Sequence, residues 1–200
     1  MTAAAAPLLC HAESNLQSGA GSPLTATAHV DFQITIPKFV FLRIGAGTGT
    51  ATGGWASNGT IDLITFAPAP ATVGNGVALA GSGGDLTGGV ETAVVVANQG
   101  SVTLSSTTLG ALNDGVGDTI SYATIQTTSH KLTTAPMLKA PALVDGGTST
   151  LVVTANGKNK TVQRDAKWTY TYANATTPPG GTYGGVNTNN SRVTYTASVP

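Results

Sequence analysis

The longest regular pattern of apolar and polar positions in this chain runs from Leu24 to Ile36, in the stretch LTATAHVDFQITIP. Apolar and polar side chains alternate there without interruption, and alternation with a period of two predicts a β-strand. At about 3.3 Å per residue the strand would span roughly 40 Å, which is longer than most strands. Its apolar face comprises Leu24, Ala26, Ala28, Val30, Phe32, Ile34 and Ile36.

Strands are also predicted along most of the remaining chain, separated by glycine-rich connections. The segment KFVFLRIG, which follows Pro37, is apolar on both faces, as expected of a strand buried between two layers. Further segments of this kind are TIDLITF (60–66), VETAVVVA (90–97), SVTL (101–104), TISYATI (119–125), STLVVTA (149–155), TVQRDAKWTYTY (161–172) and SRVTYTAS (191–198). Many short strands joined by Gly, Asn and Pro turns predict an all-β fold: an antiparallel β-sandwich, Ig-like or jelly-roll-like, with long glycine-rich loops.

Two local signals refine this prediction. The dipeptide Asn156-Gly157 lies between two strong strands and is the clearest β-hairpin signal in the chain. The apolar patch near 136–144 is the best weak candidate for a helix, but its two prolines limit it. We therefore expect a hairpin at Asn156-Gly157 and no long helix.

The apolar face of residues 24–36 needs partners if the strand is to be stable. Burial of its side chains alone does not clearly exceed the entropy lost by ordering the backbone, so ladder hydrogen bonds must contribute. The strand is most stable when both of its edges are paired, which requires a groove between two other strands. Two locations for that groove remain open: the same chain, or a neighbouring subunit reached across a flexible leader, residues 13–23.

Composition narrows the classes of partner. The 200 residues include nine Lys or Arg and nine Asp or Glu, which give a formal net charge of zero. Nucleic acid is therefore not expected as a partner, because phosphate binding requires a basic stripe. Weak charge repulsion favours self-association instead.

The N-terminal stretch TAAAAPLLCHAESN resembles the end of a secretory signal. A short apolar run precedes Cys10 and Ala12, which place small residues at −3 and −1 of a cleavage site after Ala12. We expect residues 1–12 to be a signal-peptide remnant and the protein to be secreted. No stretch is long and apolar enough to predict a transmembrane segment.

Several stretches imitate functional motifs without their structural context. GAGTG (45–49) and AGSGG around Ser82 lack the following helix that a dinucleotide loop or a nucleophile elbow needs. NDGVGD (113–118) gathers oxygen ligands that suit calcium, although a turn closed by its own Asx side chains is the stronger interpretation. No constellation for catalysis is found, and the sequence predicts no enzyme, no cofactor and no metal site.

Aromatic residues cluster towards the C-terminus, and they allow two interpretations. They are Trp168, Tyr170, Tyr172, Tyr183 and Tyr195. Aromatics on strands line sugar-binding surfaces in some proteins, but they more often form core and cross-strand pairs. We expect the core interpretation to hold.

The N-terminal pattern of an alternating strand, a proline and the apolar strand KFVFLRIG resembles the start of bacterial fimbrial subunits assembled by donor-strand exchange. The ending PGGTYGGVNTNNSRVTYTAS is similar to that of pilins, notably the class 5 colonisation-factor fimbriae, and biofilm-matrix filament subunits share the same logic. The resemblance implies that residues 24–36 are a donor strand whose apolar face binds a neighbouring subunit. It also implies a periplasmic chaperone and an outer-membrane usher as partners.

The sequence thus predicts a signal-peptide remnant (1–12), a leader (13–23), a donor strand (24–36) and a β-sandwich domain (38–200). The predicted function is that of a structural subunit in an extracellular filament, a pilus or a biofilm-matrix fibre, which polymerises head to tail with itself. The alternative is a monomeric secreted β-sandwich that serves as an adhesin or a carbohydrate-binding module.

Overall fold

The computed structural model describes residues 14–21, 23–157 and 159–200 of the chain. The chain divides after Pro37 into an N-terminal unit and a second unit, Lys38–Pro200. The signal-peptide remnant expected at residues 1–12, with Cys10, lies outside the described residues.

The described residues of the N-terminal unit contain no helix and no strand, and all of them are exposed. The strand predicted over residues 24–36 is therefore not formed in the single chain. An alternating sequence favours an extended backbone, but a strand forms only where a neighbour accepts its ladder hydrogen bonds. The first strand of this chain's own sandwich begins instead at Val40.

The second unit is built from strands, most of them short. In chain order these are β1 (Val40–Ile44), β2 (Ile64–Thr65), β3 (Leu79–Ala80), β4 (Ser82–Gly83), β5 (Val90–Ala97), β6 (Val102–Thr107), β7 (Leu112–Asn113), β8 (Thr119–Ile120), β9 (Ile125–His130), β10 (Thr148–Val153), β11 (Val162–Tyr172) and β12 (Thr194–Ser198). Two 3₁₀ turns, Pro70–Thr72 and Tyr122–Thr124, are the helical elements of the described residues.

Two antiparallel sheets form the layers of the sandwich. In the first sheet β5 pairs with β1 on one side and with β11 on the other. The opposite edge of β11 pairs with β9. Strand β3 pairs with β11 at Thr171 and Tyr172, on the same edge as β5. In the second sheet β6 lies between β10 and β12. The predicted all-β, antiparallel sandwich is confirmed.

The core lies between these two sheets. Ala93 and Val95 of β5 pack with Leu104 of β6 and with Trp168 of β11, and all four are fully buried. The indole N–H of Trp168 donates to the carbonyl of Leu138 at 2.8 Å, so its polar atom is satisfied in the core. Strand β5 is buried on both faces, which explains its continuous apolar run over residues 93–97.

The hairpin predicted at Asn156-Gly157 is wrong. A tight turn is present, closed by a 2.7 Å hydrogen bond from the Asn156 N–H to the Thr161 carbonyl. The strands that it joins, β10 and β11, belong to different sheets, because β10 pairs with β6 whereas β11 pairs with β5 and β9. The turn therefore carries the chain from one layer of the sandwich to the other.

Two further predicted strands are shorter than expected. TISYATI is interrupted by the 3₁₀ turn Tyr122–Thr124, which begins where the Ser121 hydroxyl accepts the Ala123 N–H at 3.1 Å. Serine offers the backbone this local alternative to a ladder. TIDLITF pairs only at Ile64–Thr65, opposite β4.

Candidate functional site

The predicted donor face is exposed throughout the N-terminal unit. Phe32 is 89% exposed and Ile34 is 85% exposed, and Val30 and Ile36 are similarly open. The structure places none of the seven predicted donor residues in a strand. An alternating apolar segment that forms no strand of its own can add to a sheet edge or bury its face against apolar surface.

Strand β1 ends the first sheet and has one free edge. Its register with β5 pairs Ile44 with Ala93, and the next N–H, that of Gly45, donates to the Thr92 carbonyl at 2.8 Å. Hydrogen-bonded pairs alternate along an antiparallel ladder. The N–H and C=O groups of the alternate residues, which are Val40, Leu42 and Ile44, therefore point away from β5, toward the free edge.

An open groove of about 350 Å³ follows the β1 residues. Residues 46–48 and 56–58 and Thr60 line it together with all five residues of β1; these loop residues are called the groove lips below. Trp55 precedes the second lip and stacks on Phe39, with ring centroids 4.9 Å apart. The indole N–H of Trp55 donates to the Thr50 carbonyl at 2.8 Å, which ties the loop between the lips together.

Strand β12 is one of the two outer strands of the second sheet and lies beside β1. Its inward-facing residues, Tyr195 and Ala197, are only partly buried. The inward-facing residues of β1 are also only partly buried or exposed, whereas Ala93 and Val95 of the neighbouring β5 are fully covered. The apolar core is thus only partly covered on the side where β1 and β12 meet.

Three carboxyl groups converge at the end of β1. Oxygen atoms of Asp62, Asp85 and Glu91 lie within 4.8 Å of one another. Asp85 forms a 2.9 Å ion pair with Arg43 of β1 and accepts the Thr92 N–H at 2.7 Å. Asp62 accepts the Ala46 N–H at 2.6 Å.

Glu91 is buried, with only 4% of the residue exposed. Its carboxyl group is hydrogen-bonded to that of Asp62. Burial, followed by the charge of Asp62, raises the pKa of Glu91 from 4.5 to about 8. At neutral pH the pair therefore holds one proton. Gly45 lies against both carboxyl groups with a φ of 79°, and a Cβ there would collide with them.

These carboxyl oxygens are also the donor type that hard cations prefer. Arg43 already neutralises Asp85, and the proton of Glu91 already links it to Asp62. With these contacts, the three carboxyl groups hold a proton in a buried position.

The C-terminal aromatic residues belong largely to the core. Trp168 is fully buried, Tyr170 and Tyr172 are 7% exposed, and Tyr195 is partly buried. The hydroxyl groups of Tyr170 and Tyr195 are hydrogen-bonded to each other at 2.9 Å. Burial raises the pKa of Tyr195 to about 12. The core interpretation is confirmed for these four residues, while Tyr183 donates its hydroxyl to the Pro179 carbonyl on the surface.

The loop at 113–118 is a self-contained turn. One carboxylate oxygen of Asp114 accepts the N–H groups of Val116, Gly117 and Asp118, at 3.0 to 3.1 Å. These bonds lower the pKa of Asp114. The turn stabilised by its own side chains is confirmed.

The sequence did not reveal the carboxyl cluster or the free β1 edge. Asp62, Asp85 and Glu91 are far apart along the chain, and two of them lie beside glycine-rich stretches that read as ordinary turns. The one available signal was Glu91, a charged residue in the otherwise uncharged strand VETAVVVA. A charge in such a strand requires a buried partner.

In the part of the chain that the structure describes, no helix has the length and apolar character needed to cross a lipid bilayer. No protein family, curated protein or solved structure shows a significant match to this chain.

Proposed function

We propose that the protein is a structural subunit of an extracellular bacterial filament, and that residues 24–36 of one copy add as a strand to the sandwich of the next. The observation that carries this proposal is the alternating apolar face of residues 24–36, which is exposed and forms no strand in the single chain. Strand addition satisfies both its backbone groups and its apolar side chains.

The acceptor in this proposal is the free edge of β1. The backbone groups of Val40, Leu42 and Ile44 point outward there, and a groove runs along all five residues of the strand. Filling the groove would also cover the half-exposed apolar residues of β1 and β12. One added strand would therefore pair the free edge and cover the exposed part of the core.

The opposite end of the first sheet is a poorer acceptor. Beside β9 an open groove of about 380 Å³ is bordered by the chain's own residues 140–143, where the Ala140 N–H donates to the Ser129 hydroxyl at 3.1 Å. The same chain segment is fixed to the second sheet, because the Ser106 hydroxyl donates to the Ala142 carbonyl at 2.7 Å. An added strand would have to displace these contacts.

The proposal includes secretion, head-to-tail homopolymers in a pilus or biofilm-matrix fibre, and help from a chaperone and an usher. The alternative of a monomeric carbohydrate-binding module loses its aromatic surface, because Trp168, Tyr170 and Tyr172 are buried. The long glycine-rich loops remain the part of the molecule on which an adhesin function would depend.

A pair of substitutions on adjacent residues tests the donor strand. Ile34→Asp places a charge on the apolar face, whereas Thr35→Asp places the same charge on the polar face. Because both residues are exposed, we expect each variant to keep its free energy of unfolding within about 0.5 kcal/mol. Electron microscopy of the full-length protein should show fibres for the wild type and Thr35→Asp, and none for Ile34→Asp.

Fibres of normal length from Ile34→Asp would contradict the proposed donor face. A sharp monomer peak for wild-type protein at every concentration, with no fibres, would contradict the filament function as a whole. Chemical unfolding of the three proteins provides the control for folding.

A further inference from the structure

The carboxyl cluster connects both groove lips to the central strand of the first sheet. Glu91 belongs to β5, and its carboxyl group is hydrogen-bonded to Asp62, two residues beyond the second lip. Asp62 in turn accepts the N–H of Ala46, which belongs to the first lip, at 2.6 Å. This pair of carboxyl groups is therefore one of the contacts that position the lips.

A hydrogen bond between two carboxyl groups exists only while they share a proton, because two carboxylates repel each other. Among the residues that the structure describes, none of the groups that face Glu91 supplies a free positive charge that could offset the repulsion once the proton is lost. The Asp85 N–H is 3.4 Å from Glu91, the Asp85 carboxylate adds negative charge, and Arg43 is already paired with it. From β11 and β12, the hydroxyl groups of Tyr170 and Tyr195 are uncharged.

We propose that the Glu91–Asp62 pair is a proton-dependent latch, which holds the groove lips beside β1 while the proton is shared and releases them when it is lost. The role of the latch in controlling strand addition rests on the proposed function, since the groove is the proposed acceptor. Release would remove one wall of the groove and slow the addition of a strand.

The latch operates near neutral pH because burial raises the pKa of Glu91 to about 8. In mildly acidic and neutral solution the proton is present and the lips are held. Above pH 8 two negative charges face each other beside a β-strand with little solvent to screen them. Ala46 then loses its fixed acceptor as Asp62 moves away.

Backbone NMR of the full-length protein, kept dilute, tests the latch directly. In the wild type we expect the Ala46 amide resonance to shift with an inflection near pH 8. The order parameters of residues 56–58 and 60 should fall from about 0.85 towards about 0.6 over the same range. Glu91→Gln keeps the shape and a permanent hydrogen-bond donor, so it should show neither change.

Asp118→Asn is the matched control, because it removes a carboxyl group far from the groove and should behave like the wild type. Order parameters that stay constant across this pH range in the wild type overturn the latch. The latch is also overturned if the order parameters of Glu91→Gln fall with pH as those of the wild type do.

Fibre growth, followed by light scattering on the same samples, distinguishes this inference from the proposed function. Wild-type growth should slow above pH 8, and growth of Glu91→Gln should not. Absence of fibres at every pH would overturn the filament function, while the NMR result would still decide whether the latch exists.

Discussion

At the scale of single residues, the molecule is organised by a few polar groups placed inside an apolar sheet. Glu91 stands in the most buried strand and depends on Asp62 for its hydrogen bond. Asp165 is fully buried in β11 and accepts from the Thr133 hydroxyl at 2.6 Å. Each polar side chain fixes a loop on the sheet, because an unsatisfied buried group would cost about 1–3 kcal/mol.

The raised pKa of Glu91 predicts how stability depends on pH. The folded protein holds this proton up to about pH 8, whereas the unfolded chain releases it near pH 4.5. Between these values the folded state binds more protons, so this contribution to the free energy of unfolding falls as pH rises. With each pKa unit equal to about 1.4 kcal/mol, the loss is on the order of a few kcal/mol.

Urea unfolding of the wild type and Glu91→Gln, measured across this pH range, checks the prediction. The difference in unfolding free energy between the two proteins should shift in favour of the Gln variant as pH rises. A difference that does not change with pH would mean that Glu91 ionises normally in the folded state.

At the scale of elements, strands with strong internal patterns were predictable and weak or distant pairings were not. VETAVVVA and TVQRDAKWTYTY match β5 and β11 closely, because these strands are long enough for their side-chain pattern to determine the structure. The sheet to which each strand belongs depends on contacts far along the chain, so the turn at Asn156-Gly157 was misassigned. Local turn chemistry is the same in both arrangements.

The carboxyl cluster was beyond prediction for the same reason. Its members are brought together because β1 pairs with β5 and because the chain at Asp62 comes back beside Asp85 and Glu91. Neither arrangement leaves a local signal in the sequence. The alternating apolar face of residues 24–36, in contrast, was visible in the sequence, because alternation needs only neighbouring residues.

The ladder of β1 gives a prediction for amide hydrogen exchange. In the monomer the Arg43 N–H faces β5 and should be protected, whereas those of Leu42 and Ile44 face the free edge and should exchange quickly. In fibres formed by the proposed strand addition, both edges of β1 would be paired. Leu42 and Ile44 should then become protected, while Arg43 changes little.

Exchange measured by NMR on fibres dissolved after labelling would report these residues individually. Rapid exchange at Leu42 and Ile44 within fibres would show that the added strand binds elsewhere, with the β12 edge as the next acceptor to examine. Arg43 serves as the internal control for strand integrity.

At the scale of the whole molecule, low charge and an exposed apolar face favour assembly through apolar contacts and not through long-range attraction between charges. The formal net charge is zero, and only 9% of the residues are charged. In the proposed filament, subunits would therefore neither repel nor attract one another strongly at a distance, and burial of apolar surface would drive their association.

Fibre growth should consequently depend little on ionic strength. Between about 0.05 and 0.5 M salt, at neutral pH, we expect the elongation rate to change less than about threefold. Light scattering from seeded samples would measure it. A fall of tenfold or more across that range would instead indicate charge-steered association, as is known for strongly charged partners.

The exposed apolar segment 24–36 and the free β1 edge lie at different places along the chain. A row of such molecules joined by strand addition would have two dissimilar tips, one presenting a bare sheet edge and the other a loose apolar ribbon. Growth would then have a direction, and one defective copy would terminate it: a molecule without its ribbon blocks one tip, and a molecule with a spoiled edge blocks the other.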